Sequence, residues 1–178
     1  KEFGIDPDQA ELTRGTVTLS VTDALEQMIT ISHNYAALLL TKKIQLAGVT
    51  SFLKEHEFGE SRVGAFHATT PYDIALFFEK LYTGKLANPE NTQKMIAILK
   101  KQTFTAKLPK YIPKNVSIVH KTGELASFSH DAGIVFSDTG DYIIVVLSES
   151  DNPKAAEERI AAISRDVFRY FQTGTLPF

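Results

Sequence analysis

The apolar positions change period along the chain. Between residues 20 and 99 they recur every three or four places, which is the helical spacing. Between 116 and 148 they gather into short β-rich runs, and after Pro153 the helical spacing returns. Val21, Ala24, Leu25, Met28 and Ile29 predict a helix over about 21–31, opened by the capping-box-like pair Ser20 and Asp23. Ser32-His33-Asn34 interrupts it. Tyr35, Leu38, Leu39, Leu40 and Ile44 predict a second helix, with Gly48 as its stop. It is apolar on most sides, so it is expected at the centre of a helical lobe. Thr50 is expected to cap a short helix ending near Glu55, and 57–67 reads as a polar stretch. Thr69-Thr70-Pro71 and Asn88-Pro89 each pair a capping side chain with proline at the first helical position. The first starts a helix carrying Ile74, Ala75, Phe77, Phe78 and Leu81, ended by Gly84. The second runs through Met95, Ile96 and Leu99 into a Lys- and Pro-bearing loop over 100–115.

Three β runs follow, at 116–122, about 131–136 and 142–148, and Ser137-Asp138-Thr139-Gly140-Asp141 joins the last two as a hairpin. A further extended run is possible at 16–19. Pro153 opens a final helix with Ala156, Ile160, Ile163, Val167, Phe168 and Phe171 on one face, expected to cover one side of the sheet. The order of helices, antiparallel meander and helix predicts a single α+β domain. Residues 1–115 form a mostly helical lobe and 116–178 carry the strands and the C-terminal helix. Three strands are few for a stable sheet, so a partner at its edge is expected.

Composition narrows the function. The chain has 178 residues, 43% apolar and 22% charged, at net charge −2, an ordinary globular balance. Near-neutral charge gives no case for nucleic acid. No uninterrupted apolar run approaches the roughly 20 residues of a membrane span. Cysteine is absent, which excludes disulfides and thiolate metal sites. His56, His67, His120 and His130 are scattered without metal-ligand spacing, so no metal or other cofactor is expected. His120 should point to the opposite sheet face from Lys121. Lys100, Lys101, Lys107 and Lys110 read as solvated loop charges.

Two short stretches carry chemistry. The run Val116-Ser117-Ile118-Val119-His120-Lys121-Thr122-Gly123 delivers a cation, a hydroxyl and a glycine in a row. An anion would fit beside such an edge, although the same residues also describe a strand running into a turn at Gly123. Ser32-His33-Asn34 sits at a helix junction, where Ser32 could simply cap the next helix. Taken together, Ser-x-Asn followed by Lys-Thr-Gly resembles the penicillin-recognising serine enzymes. The likeness is closest to the class A β-lactamases and their relatives among penicillin-binding proteins, marked by Ser-x-x-Lys, Ser-Asp-Asn and Lys-Thr-Gly. It extends along most of 16–172. The stretch 19–40 looks like that family's helix, junction and central helix, and Ala68-Thr69-Thr70-Pro71 like the helix start after its Ω loop. His120-Lys121-Thr122-Gly123-Glu124-Leu125 and Asp131-Ala132-Gly133-Ile134-Val135 look like its two inner strands.

The resemblance implies roles. Ser32 would relay a proton to the leaving nitrogen, with Lys121 holding it and supplying positive potential. Asn34 would hold the substrate's amide carbonyl and Thr122 its carboxylate, beside Gly123. The backbone N–H of Glu124 would be one of two oxyanion donors, and His130 would flank the carboxylate. Three departures stand out. No Ser-x-x-Lys precedes Ser32, so the nucleophile is expected outside this chain, which looks like the C-terminal two-thirds of the fold and inactive by itself. Between Gly48 and Thr69 there is no Glu-x-x-Leu-Asn for a deacylating water. Only Glu55, Glu57 and Glu60 occur there. His33 replaces the usual aspartate, in a supporting rather than catalytic role. The implied function is acylation of a serine by a β-lactam or a D-Ala-D-Ala-type peptide, weighted toward a peptidase or a slow β-lactamase. The alternative is a non-catalytic module binding cell-wall fragments or a partner. Expected partners are the N-terminal segment of its own protein or a second copy, in an extracytoplasmic setting.

Overall fold

The structure, a computed structural model, describes residues 18–175. Its elements are α1 (Val21–Thr30), α2 (Asn34–Glu55), α3 (Pro71–Tyr82), α4 (Pro89–Leu99), β1 (Ser117–Leu125), β2 (Phe128–Phe136), β3 (Tyr142–Glu149) and α5 (Pro153–Thr173). This is the α+β order expected. The extended run at 16–19 lies partly outside the described residues, and Thr18 and Leu19 form no strand. The chain divides into two compact units, Lys1–Ala68 and Thr69–Phe178, so α3 and α4 stand with the sheet.

In the first unit, Ser20 caps α1 by accepting from the Asp23 N–H at 3.0 Å. The second helix departs from its expected form. Helical residues run on through Gly48 and Thr50 to Glu55, and the break falls at Gln45, whose φ is 61°. Thr50 therefore caps nothing and donates back to the Leu46 carbonyl at 3.0 Å. Only Ala36 of α2 is buried, while Leu39, Ile44 and Leu46 are exposed. Its all-round apolar surface finds a partner in α1 alone among the described elements of its unit, which is why the predicted central burial is absent. By length and composition α2 is the one described helix that could cross a membrane. Lys42, Lys43 and the break at Gln45 fall in its middle, where lipid tolerates neither charge nor an open backbone.

In the second unit, Thr70 and Asn88 cap α3 and α4 as predicted, accepting from Asp73 N–H at 3.3 Å and Asn91 N–H at 2.8 Å. The sheet is antiparallel in the order β1-β2-β3. Strands β1 and β2 are longer than their β-rich cores. They continue through Gly123, paired with His130, to a two-residue turn at Ala126 and Ser127. One sheet face packs on α5, the other on α3. The α5 side is a core of Leu108, Val135, Tyr142, Ile144 and Ile160, with Val167 and Phe168 against it. Each such side chain contributes about 1.5–3 kcal/mol on burial. Ile163 was expected on this face but is 45% exposed. At 100° per residue it sits about 85° from the centre of the buried stripe formed by Ala156, Ile160, Ala161 and Ser164.

The Tyr142 hydroxyl is buried in this core and has no hydrogen-bond partner among the described residues. Burial pushes its phenol up from 10.0 to about 12. The folded form therefore keeps a proton that the unfolded chain gives up above pH 10, and stability falls between pH 10 and about 12. Tyr142→Phe should raise stability by about 1 kcal/mol and remove that alkaline loss, read as urea midpoints across pH 8–11.

Candidate functional site

Strand β1 holds its course because β2 can pass close to it. A Cβ at Gly133 would lie 2.2 Å from the Val119 carbonyl oxygen and 2.7 Å from the His120 Cβ. Only glycine fits there, so Gly133 sets the strand spacing beside His120 and Lys121.

Side chains alternate along β1. His120 and Thr122 face α5 with Asp131, the register partner of Thr122. Lys121 and Gly123 face the other way, with His130 across from Gly123. Lys121 is half-buried, and its Nζ donates to the Thr122 carbonyl at 2.7 Å. Burial holds its ammonium below the ordinary value of 10.5. Asp131 and Glu124 oppose that shift, and the nearby Lys107 charge adds to it. A lysine so placed gives up its proton more readily than a free one. Thr122 is only 8% exposed. Lys121 and Thr122 thus lie on opposite faces, yet β1 is an edge strand and a ligand at its rim can be met from both sides.

Sequence reasoning missed Lys107, which is not a solvated loop charge. It is 2% exposed, ion-pairs with Glu124 at 2.8 Å and donates to the His130 carbonyl at 3.1 Å. The Glu124 side chain is 63% exposed. The sequence held no signal for this, because the ion pair depends on the fold of the 100–115 loop. Lys110 is exposed as predicted and ion-pairs with Glu158. His130 accepts the Ser148 N–H at Nδ1, 3.1 Å away. His120 faces away from Lys121 as expected and is bonded to Asp131. His56 packs against Phe52 and Phe58, and His67 is exposed. No group of acidic, histidine or cysteine side chains among the described residues could hold a metal ion.

Ser32 and Asn34 belong to the first unit. The N–H groups of Ile31 and His33 both donate to the Gln27 carbonyl, closing α1. Ser32 lies between them at φ 53°, a position that usually takes glycine. A serine held there is strained by about 1 kcal/mol or more, as functional residues often are. Ser32 does not cap α2. That role falls to His33, whose Nδ1 accepts from the Ala36 N–H at 3.2 Å. Asn34 is exposed at the first turn of α2, and Ser32 is half-buried. Glu55, Glu57 and Glu60 are exposed where α2 ends. One Ser-x-x-Lys does occur in this chain, at Ser51 and Lys54, but it follows Ser32 instead of preceding it, and both residues are exposed.

The Lys107–Glu124 pair is asymmetric, and its two halves should respond differently. Removing Glu124 strands a buried ammonium; removing Lys107 leaves a carboxylate that water can reach. Glu124→Ala is expected to cost about 3 kcal/mol and Lys107→Met about 1 kcal/mol in urea unfolding. Equal costs would mean that the pair does not govern this corner.

A family model described as the beta-lactamase enzyme family matches residues 6–171. A comparison with curated proteins finds no match. Among solved structures the chain is similar to PBP-A, with a TM-score of 0.83 at 23% identity over 93% of this chain and 69% of that one. A PBP-A variant solved as an acyl-enzyme complex with penicillin G gives a TM-score of 0.82 at 23% identity, with 93% and 69% covered. The beta-lactamase from Sphaerobacter thermophilus DSM 20745 gives 0.82 at 26% identity, over 94% of this chain and 68% of that one. These likenesses show the fold, and the chain spans about two thirds of each of those proteins.

Proposed function

This chain belongs to the beta-lactamase enzyme family, and on that premise we propose that it carries the Ser-x-Asn and Lys-Thr-Gly parts of a serine acyl-transfer site acting on β-lactams or D-Ala-D-Ala-type peptides. The observation that carries the reading is Lys121, half-buried on an edge strand with its ammonium held below the ordinary value. Acyl transfer needs a nucleophile, a proton shuttle and donors aimed at the developing oxyanion. Here Ser32 passes the proton to the leaving nitrogen, and Lys121 makes the site positive. Asn34 holds the substrate amide. Thr122 and His130 meet the substrate carboxylate beside Gly123, and the Glu124 N–H takes the oxyanion. The acylated serine is supplied by sequence outside this chain, as the N-terminal segment of the same protein, and the setting is extracytoplasmic, as is common in the family. Without a positioned Ω-loop glutamate, deacylation is slow, which favours a peptidase or slow β-lactamase. The second reading is a non-catalytic binding module.

Incubation with penicillin G followed by intact mass should leave this chain unmodified and give a stoichiometric adduct on the protein that includes the upstream serine. In that protein, Ser32→Ala should slow acylation about 10²–10⁴-fold, and Ser51→Ala should not. An adduct on Ser51 would overturn the assignment, and no adduct on the longer protein would favour the binding module.

A further inference from the structure

A cavity of about 830 Å³ opens beside the first half of β1, between that strand and the loop that follows α4. None of the residues assigned to acyl transfer lines it. Its walls include Val116, Ile118 and His120 of the strand side and three cations, Lys100, Lys110 and Lys114, while no carboxylate lines it. Lys110 is engaged by Glu158 of α5 at 2.5 Å. Lys100 and Lys114 are exposed and form no ion pair among the described residues. The wall therefore has an unbalanced positive charge, and a concave positive wall concentrates anions.

The second observation lies on the floor. His120 is 2% exposed, yet it lines the cavity. Its Nδ1 is 2.9 and 3.1 Å from the two oxygens of Asp131, which is fully buried and also accepts the Leu108 N–H at 3.0 Å. A carboxylate on Nδ1 fixes the tautomer and the ring orientation, as behind metal-binding and catalytic histidines. Nε2 is the other ring nitrogen, and it has no hydrogen-bond partner among the described residues. When the ring is an imidazolium it donates from both nitrogens, Nδ1 to Asp131 and Nε2 outward. The charged groups around it are Asp131 on β2, Lys100 at the end of α4, Lys110 and Lys114 on the loop, and Glu158 on α5, already taken by Lys110.

We propose that this cavity binds a small oxyanion, a phosphate or carboxylate group, held by Nε2–H of the His120 imidazolium with Lys100 and Lys114 supplying the opposing charge. The site stands apart from the acyl-transfer reading, because it uses neither Ser32 nor Lys121. A single ion would fill a small part of the volume, so the cavity accommodates a larger molecule bearing that group.

The test follows the imidazole carbon–proton signals of the five histidines by NMR during titration with inorganic phosphate, at ionic strength held constant with chloride. Single-histidine variants assign the signals. A saturable shift confined to His120, toward its protonated position, is expected by about 10 mM phosphate. The double variant Lys100→Ala/Lys114→Ala, whose melting should match the parent because both side chains are exposed, should weaken binding about five- to tenfold. A second titration with acetate separates the two sources: saturation by both supports a general oxyanion site, and by phosphate alone a phosphate site. Drift without saturation, parallel shifts of all five histidines, or unchanged affinity in the double variant would overturn the proposal.

Discussion

The second unit is organised around one buried carboxylate. Asp131 has no exposed surface, and both of its oxygens are occupied. It binds His120 of β1 and the backbone N–H of Leu108, while Ser164 of α5 donates to the Leu108 carbonyl at 2.8 Å. One side chain on β2 therefore fixes the neighbouring strand and a loop that has no regular structure of its own, and Leu108 passes the connection on to α5. A buried charge is costly unless every lone pair is used. Here satisfying that demand pins the 100–115 loop to the sheet, and the apolar core of Leu108, Val135 and Ile160 closes around it.

Pinning the loop delivers Lys107 to its place. Leu108 is docked by Asp131, so its neighbour Lys107 is carried under the β1–β2 hairpin, where it meets the Glu124 side chain and the His130 carbonyl. The Lys-Thr-Gly edge is thus no single free cation. Lys121 sits among Lys107, Glu124 and Asp131, and its proton affinity reflects all three together with its own burial. The Glu124 side chain neutralises Lys107, so the positive potential at the edge rests on Lys121.

The first unit places its chemistry by a different device. The end of α1 turns on the Gln27 carbonyl, which accepts from both Ile31 and His33, and the turn forces Ser32 into the left-handed region. A glycine would relieve the strain, but it would bring no hydroxyl. His33 then secures the first turn of α2, so the serine and Asn34 are both spared from capping.

Local chemistry fixed much of this in advance. Ser20, Thr70 and Asn88 start their helices because a capping side chain satisfies N–H groups within three residues of itself, and the β-rich runs pair as a meander because their turns are short. The Ser-x-Asn and Lys-Thr-Gly stretches were legible as motifs for the same reason: each is a few adjacent residues. The tertiary structure decided whatever depends on residues far apart in the chain. That Lys107 is buried and paired, that His130 spends Nδ1 on the Ser148 N–H, that His120 is held by Asp131 and that α2 remains largely uncovered are properties of neighbours brought by folding. A lysine in a loop looks the same in sequence whether water or a carboxylate awaits it. Gly48 was the local candidate for a stop, yet the helix runs on through it to Glu55 with its one non-helical residue at Gln45.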